Sequence, residues 1–90
     1  MTAVRIPPVL RASTEGLKHL QLEGSTVREV IDRLVATYPA TAGQLHGSDG
    51  ELNRFVNVFV NGTDVRHLQA LDTPVTDRDE VVLLPAMAGG

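Results

Sequence analysis

The side chains that usually carry catalysis are few in this 90-residue chain, and none stands in a working arrangement. There is no cysteine, which excludes a catalytic thiol, a thiolate zinc site and a disulfide framework together. His19, His46 and His67 lack metal-ligand spacing and read as ordinary surface or loop histidines. Ser13, Ser25 and Ser48 have no identifiable base. No glycine-rich phosphate loop precedes a helix, so the chain is not expected to bind ATP by itself. Asp77-Arg78-Asp79-Glu80 reads as a solvated loop beside a turn. Asn61-Gly62-Thr63 fits a glycosylation acceptor, but without a secretory leader it is expected to serve as a turn.

What remains is the end of the chain, Ala86-Met87-Ala88-Gly89-Gly90. Glycine makes up ~7% of residues in proteins, so a terminal Gly-Gly occurs by chance in roughly 0.5% of chains. The bland alternative is a flexible end with no function. The functional one is a tail without side-chain bulk that threads a narrow channel and delivers its carboxylate to another protein. A carboxylate must be activated before a nucleophile can displace its oxygen, and adenylylation by ATP is the usual cellular route. With an α-carboxyl pKa of ~3.3–3.7, the group is already the attacking anion at neutral pH. On this reading Gly90 carries the reacting group, Gly89, Ala88 and Met87 form the tail, and the protein is a co-substrate rather than an enzyme.

Such a tail needs a rigid body to carry it. Val4 and Ile6 alternate with Arg5 in a first strand that ends at Pro7-Pro8. Residues 17–23 alternate again, which predicts an antiparallel hairpin with a long loop. Val27, Val30, Ile31, Leu34, Val35 and Tyr38 then follow helical spacing. Thr26 and Glu29 are expected to form a capping box, and Pro39 to end the helix. A connection holding one short helical turn leads to a strand over residues 55–60 and an Asn61-Gly62 hairpin turn. Residues 65–68 are expected to form a short return strand and 71–79 a loop. The last strand, residues 80–84, is apolar from Val81 onward and should lie centrally in the sheet. The order β-β-α-β-β-β predicts an α+β fold, a mixed sheet with one main helix packed on one face. Residues 1–85 form the expected domain and 86–90 the flexible tail.

The second face of that sheet has no sequence left to cover it. Asn57 is the one polar residue within the third strand, so its face should lie away from the helix, together with Phe55 and Phe59. If Val81 and Leu83 face inward, Val82 and Leu84 face out. Phe55, Phe59, Val82 and Leu84 then form an exposed apolar patch, the expected partner-binding surface; a loop folded across it is the alternative.

Composition narrows the partners. Eight basic and eleven acidic residues give a net charge of −3, which provides no footprint for nucleic acid. No apolar run approaches the ~20 residues that span a bilayer. The expected location is the cytoplasm.

The β-β-α-β-β-β order, the Val-Asn-Gly turn at Val60-Asn61-Gly62 and the terminal Gly89-Gly90 resemble the MoaD/ThiS sulfur-carrier family. Ile6-Pro7-Pro8-Val9-Leu10-Arg11, the run from Arg54 to Asn61 and Leu84-Pro85-Ala86-Met87-Ala88-Gly89-Gly90 are most similar to its branch in actinobacterial cysteine biosynthesis. The resemblance covers the whole chain and implies a ubiquitin-like β-grasp fold. It also implies the chemistry. A ubiquitin-activating-type adenylyltransferase would use ATP to convert the Gly90 carboxylate to an acyl-adenylate, and a sulfur donor would displace AMP to leave a thiocarboxylate. A sulfur-accepting synthase, dependent on pyridoxal phosphate, would take the sulfur, and a metalloprotease would release the product. The carrier itself would bind no cofactor, and because it ends at Gly90 no trimming is implied. Phe59 stands where a tyrosine is familiar in the family. The acceptor pathway, cysteine or a thio-metabolite such as a thiosugar, is left open. So is a ubiquitin-like modifier conjugated to lysine through the same terminus.

Overall fold

The computed structural model describes residues 1–46 and 56–85. Five strands form one sheet: β1 (Thr2–Arg5), β2 (His19–Leu22), β3 (Val56–Val60), β4 (Thr63–Asp64) and β5 (Glu80–Pro85). Their spatial order is β2-β1-β5-β3-β4. β5 runs parallel to β1 and antiparallel to β3, while β1–β2 and β3–β4 are antiparallel pairs. The most apolar strand is therefore the central one, as its composition predicts. The long helix α1 (Val27–Thr37) packs on one face, and a one-turn helix α2 (Ala42–Leu45) follows it. This is the expected two-layer β-grasp arrangement.

α1 buries Val27, Val30, Ile31 and Leu34, with Val35 and Tyr38 partly buried at the edge of the same stripe. The Thr26 hydroxyl accepts the Glu29 N–H at 3.2 Å, which satisfies one of the helix's free donors. The return limb of the capping box lands one residue early. The Glu29 carboxylate accepts from the backbone N–H and hydroxyl of Ser25, both at 3.0 Å, and not from Thr26 N. The Ser25 N–H bond, followed by the hydroxyl bond, holds the Glu29 pKa below its usual value. At the other end Tyr38 leaves helical geometry (φ −128°, ψ 80°), as the following proline requires.

The segment joining β2 to α1 admits only glycine at one position. A Cβ on Gly24 would lie 2.8 Å from Val30 Cγ2 and 2.9 Å from Val30 N, so this turn sets how closely the strand end approaches the helix. Loop residues 69–75 hold the helix start from the other side. Val27 N donates to Thr73 O, and Val75 N donates to Ser25 O.

Two expected features take a different form. The long β1–β2 loop contains a 3-10 helix, Pro8–Thr14, that opens on proline and buries Leu10 and Thr14. It ends at Glu15 and Gly16, both at positive φ. The return strand is not residues 65–68. It is Thr63–Asp64, and Val65–His67 form a 3-10 turn. The cause is Asp64, whose side chain accepts the Arg66 N–H at 2.9 Å and bends the chain out of the sheet, while Val65 turns into the core. A 3-10 turn at Ala70–Asp72 likewise overlaps the start of the expected 71–79 loop.

Candidate functional site

The site expected at the tail, Gly90 with Gly89, Ala88 and Met87, lies outside the described residues, as does Phe55. The surface expected to carry partners is in view. β3 buries Val56, Val58 and Val60 against the helix side and leaves Asn57 and Phe59 half-buried on the other. β5 follows the same parity: Val81 and Leu83 are 0% exposed, Val82 is half-buried and Leu84 is 46% exposed.

The register brings these residues together. Phe59 stands directly opposite Val82, and Leu84 opposite Asn57. Phe59, Val82 and Leu84 thus occupy one continuous area on the two inner strands, at the end of β5 from which residues 86–90 follow. The row through Phe59 extends to charged residues on both sides. Val82 pairs with Arg5 of β1, and Phe59 pairs with Asp64 of β4. The Arg5 guanidinium lies 4.0 Å from the Glu80 carboxylate.

The Asp64 side was not anticipated from sequence. Asp64 accepts from Arg66 Nε at 3.1 Å and from Arg66 Nη2 at 2.7 Å, and Nη2 also donates to Asn57 Oδ1 at 3.0 Å. The Arg66 side-chain bonds, then its backbone N–H, lower the Asp64 pKa to about 2, and the Arg66 pKa is raised in turn. The available signal was an Asp two residues before an Arg directly after a hairpin turn.

The Asn61-Gly62 turn has positive φ at both residues, 51° and 87°. Asn61 ties it to the root of β5: Nδ2 donates to Asp79 at 2.7 Å, and Oδ1 accepts the Glu80 N–H at 2.9 Å. Asp79 also accepts the Thr76 N–H at 2.7 Å. The charge cluster at 77–80, expected to be a solvated loop, therefore includes a structural clamp. The bond from Asn61, then that from Thr76, hold the Asp79 pKa below the usual carboxylate value.

Among the described residues no group of three or more His, Asp or Glu is placed to hold a metal. A shallow cleft of about 520 Å³ lies along α1, bordered by Glu23, Ser25, Glu29, Asp32, Arg33 and Ala36. None of those residues belongs to the apolar sheet face. No described helix is long and apolar enough to cross a membrane.

Comparison with known proteins agrees with this geometry. The ThiS family model matches residues 4–90. The sulfur carrier protein CysO of Mycobacterium tuberculosis is 44% identical over 89 residues, covering 97% of this chain and 96% of the relative. A crystal structure of the Amycolatopsis orientalis BexX/CysO complex contains a chain 39% identical, with a TM-score of 0.88 and full coverage of both chains. The solution structure of small archaeal modifier protein 1 from Methanosarcina acetivorans has a TM-score of 0.88 at 32% identity, covering 99% of this chain and 95% of that one. Since the family match spans nearly every residue and CysO aligns end to end at this identity, the chain belongs to the ThiS family and is a homologue of the sulfur carrier CysO.

Proposed function

We propose that the protein carries sulfur as a thiocarboxylate on Gly90. The supporting observation is that the ThiS family match runs through Gly89-Gly90 to residue 90. One carboxylate oxygen attacks the α-phosphorus of ATP on a partner adenylyltransferase, and pyrophosphate leaves. A donor of sulfide-level sulfur then attacks the acyl carbon, AMP leaves, and the terminus holds sulfur in place of one oxygen. The carrier supplies no acid or base to either step. It supplies a reactant and a surface, and Phe59, Val82 and Leu84 are the residues the activating enzyme would grip, continued by Phe55 and Met87. Docking next to the root of the tail converts delivery of the terminus from a bimolecular to an intramolecular event.

A sulfur-accepting synthase would then draw the sulfur from the thiocarboxylate, and a metalloprotease would free the product where the acceptor stays joined to the tail. The Amycolatopsis orientalis CysO forms a complex with BexX, which supports a second protein partner for this chain. Cysteine biosynthesis is the acceptor pathway that similarity to CysO favours. A cytoplasmic location would supply the ATP that the activating enzyme consumes.

Similarity to small archaeal modifier protein 1 supports a second reading, conjugation to lysine through the same activated terminus. Intact mass spectrometry separates the two. The protein is isolated from its own cells, and also incubated with ATP, the activating enzyme and sulfide. A carrier gains the mass of sulfur for oxygen; a modifier appears as adducts of much higher mass. Neither product would overturn both.

A further inference from the structure

Arg66 is the most firmly organised exposed cation among the described residues, and fold stability does not account for that organisation. Its backbone N–H already satisfies Asp64 as a cap, at 2.9 Å. Four further contacts reach the guanidinium: Nε donates to Asp64 Oδ1 at 3.1 Å and Oδ2 at 3.2 Å, and Nη2 to Asp64 Oδ2 at 2.7 Å and Asn57 Oδ1 at 3.0 Å. The Asp64 side chain is 13% exposed and that of Arg66 67%, so a largely covered carboxylate holds a largely open cation. A pair whose cation is two-thirds exposed is screened by water and adds little to stability.

The position gives the arrangement a use. Asp64 is the cross-strand partner of Phe59, and Asn57 lies two residues before Phe59 on the same face. A guanidinium that bridges Asp64 and Asn57 is therefore fixed beside the aromatic centre of the apolar patch. Guanidinium has five N–H groups. Nε and Nη2 are committed, while Nη1, on the edge away from the Asp64 fork, donates to none of the described residues. The same row ends in Arg5 on its other side. With strands ~4.8 Å apart, Arg5 and Asp64 lie about 14 Å from each other across the apolar pair. The patch is thus bracketed by arginines, in a chain whose net charge is −3.

We infer that Arg66 is a specificity-determining docking residue, positioned by Asp64 and Asn57 to donate Nη1–H to a carboxylate on the activating enzyme. That carboxylate sits at the rim of the enzyme's apolar seat for Phe59. A fixed planar fork loses less freedom on binding than a mobile cation, so lysine cannot replace it. This inference rests on the reading that the outer face docks to an adenylyltransferase.

The test is ATP–pyrophosphate exchange by the adenylyltransferase encoded in the same genome, with the full-length carrier as the varied substrate. Thermal unfolding of each variant is measured alongside. Arg66→Gln and Arg66→Lys should each raise the KM for the carrier about ten-fold, with kcat and the unfolding midpoint unchanged. Asp64→Asn keeps the cap and the cation but weakens the fork, and should raise KM about three-fold. Phe59→Ala reports on the docking reading itself. If Phe59→Ala raises KM and the Arg66 variants do not, the inference fails and docking stands. If Phe59→Ala is also silent, the docking reading fails with it. A wild-type KM for Arg66→Lys, or an effect confined to kcat, overturns the role assigned to Arg66.

Discussion

β3 and β5 each carry apolar side chains on both faces, and the molecule treats the two faces oppositely. On one side Val56, Val58, Val60, Val81 and Leu83 are sealed under α1. On the other, Phe59, Val82 and Leu84 are equally apolar, yet Leu84 is 46% exposed and the other two are half-buried. Hydrophobicity does not distinguish these faces. What distinguishes them is the single apolar stripe of α1, which covers one side, and Asn57, which marks the other. An apolar sheet face that the one long described helix does not cover is either a defect or an interface, and here polar groups are arranged around it.

Under the proposed function, the tail is the extreme case of a part that would matter to chemistry and not to folding. Deleting Gly90 shortens the reach by ~3.3–3.6 Å, well beyond attack distance. Thiocarboxylate formation should vanish while the unfolding midpoint stays at its wild-type value. Intact mass after incubation with ATP, activating enzyme and sulfide reads the outcome, and a truncated chain that still gains sulfur breaks the proposed function.

Neighbouring leucines test the two faces directly. Leu83→Ala should lose ~2–5 kcal/mol of stability through a core cavity, whereas Leu84→Ala should change it by less than ~0.5 kcal/mol. Urea unfolding of both variants provides the measurement. Similar losses would mean that the faces are not distinct.

Phe59→Ala should show the reverse pattern. An aromatic anchor contributes ~2 kcal/mol or more to an interface, so affinity for the activating enzyme should fall about 30-fold. Calorimetric titration gives that affinity, and thermal unfolding checks that the fold survives. Loss of folding together with binding would move Phe59 into the core.

Smaller effects sharpen the structural side. Thr26→Ala removes the hydroxyl that caps α1 and should cost ~1 kcal/mol in chemical denaturation. The Asp79 clamp should give a pH dependence. Its pKa is lowered in the folded state, so its stabilising contribution is complete above the ordinary Asp value of ~3.9 and is lost as pH falls through the folded value. Asp79→Asn should flatten that acidic limb, as seen in unfolding midpoints measured across pH. An unchanged limb would assign the acid sensitivity to other carboxylates.

Elements that depend on periodicity were legible in the sequence. The α1 stripe, the parity of β3 and the central position of β5 all follow from where apolar residues recur, because burial acts on every turn or every second residue. Elements that depend on one side chain were not. Asp64 ends a strand by capping a turn, Glu29 chooses Ser25 N over Thr26 N, and Pro8–Thr14 folds as a 3-10 helix too short to show a period. The candidate site divides the same way. Alternation revealed the apolar patch, but the local Asp64–Arg66 fork gains Asn57 as its third member only through the β3–β4 pairing.

The pairing of β1 with β5 has a consequence for synthesis. Thr2 belongs to a strand whose inner neighbour begins at Glu80, so the sheet stays open until residues 80–85 have been made. Until then β1 and β2 form only a hairpin, and α1 has no complete surface to lie on. Contacts between the two ends of a chain are the slowest to form. A ribosome that stops before β5 releases a product with neither a closed core nor the sheet face assembled from β3 and β5. Folding thus couples the appearance of this face to the synthesis of β5, since Phe59 has no Val82 beside it until that strand exists.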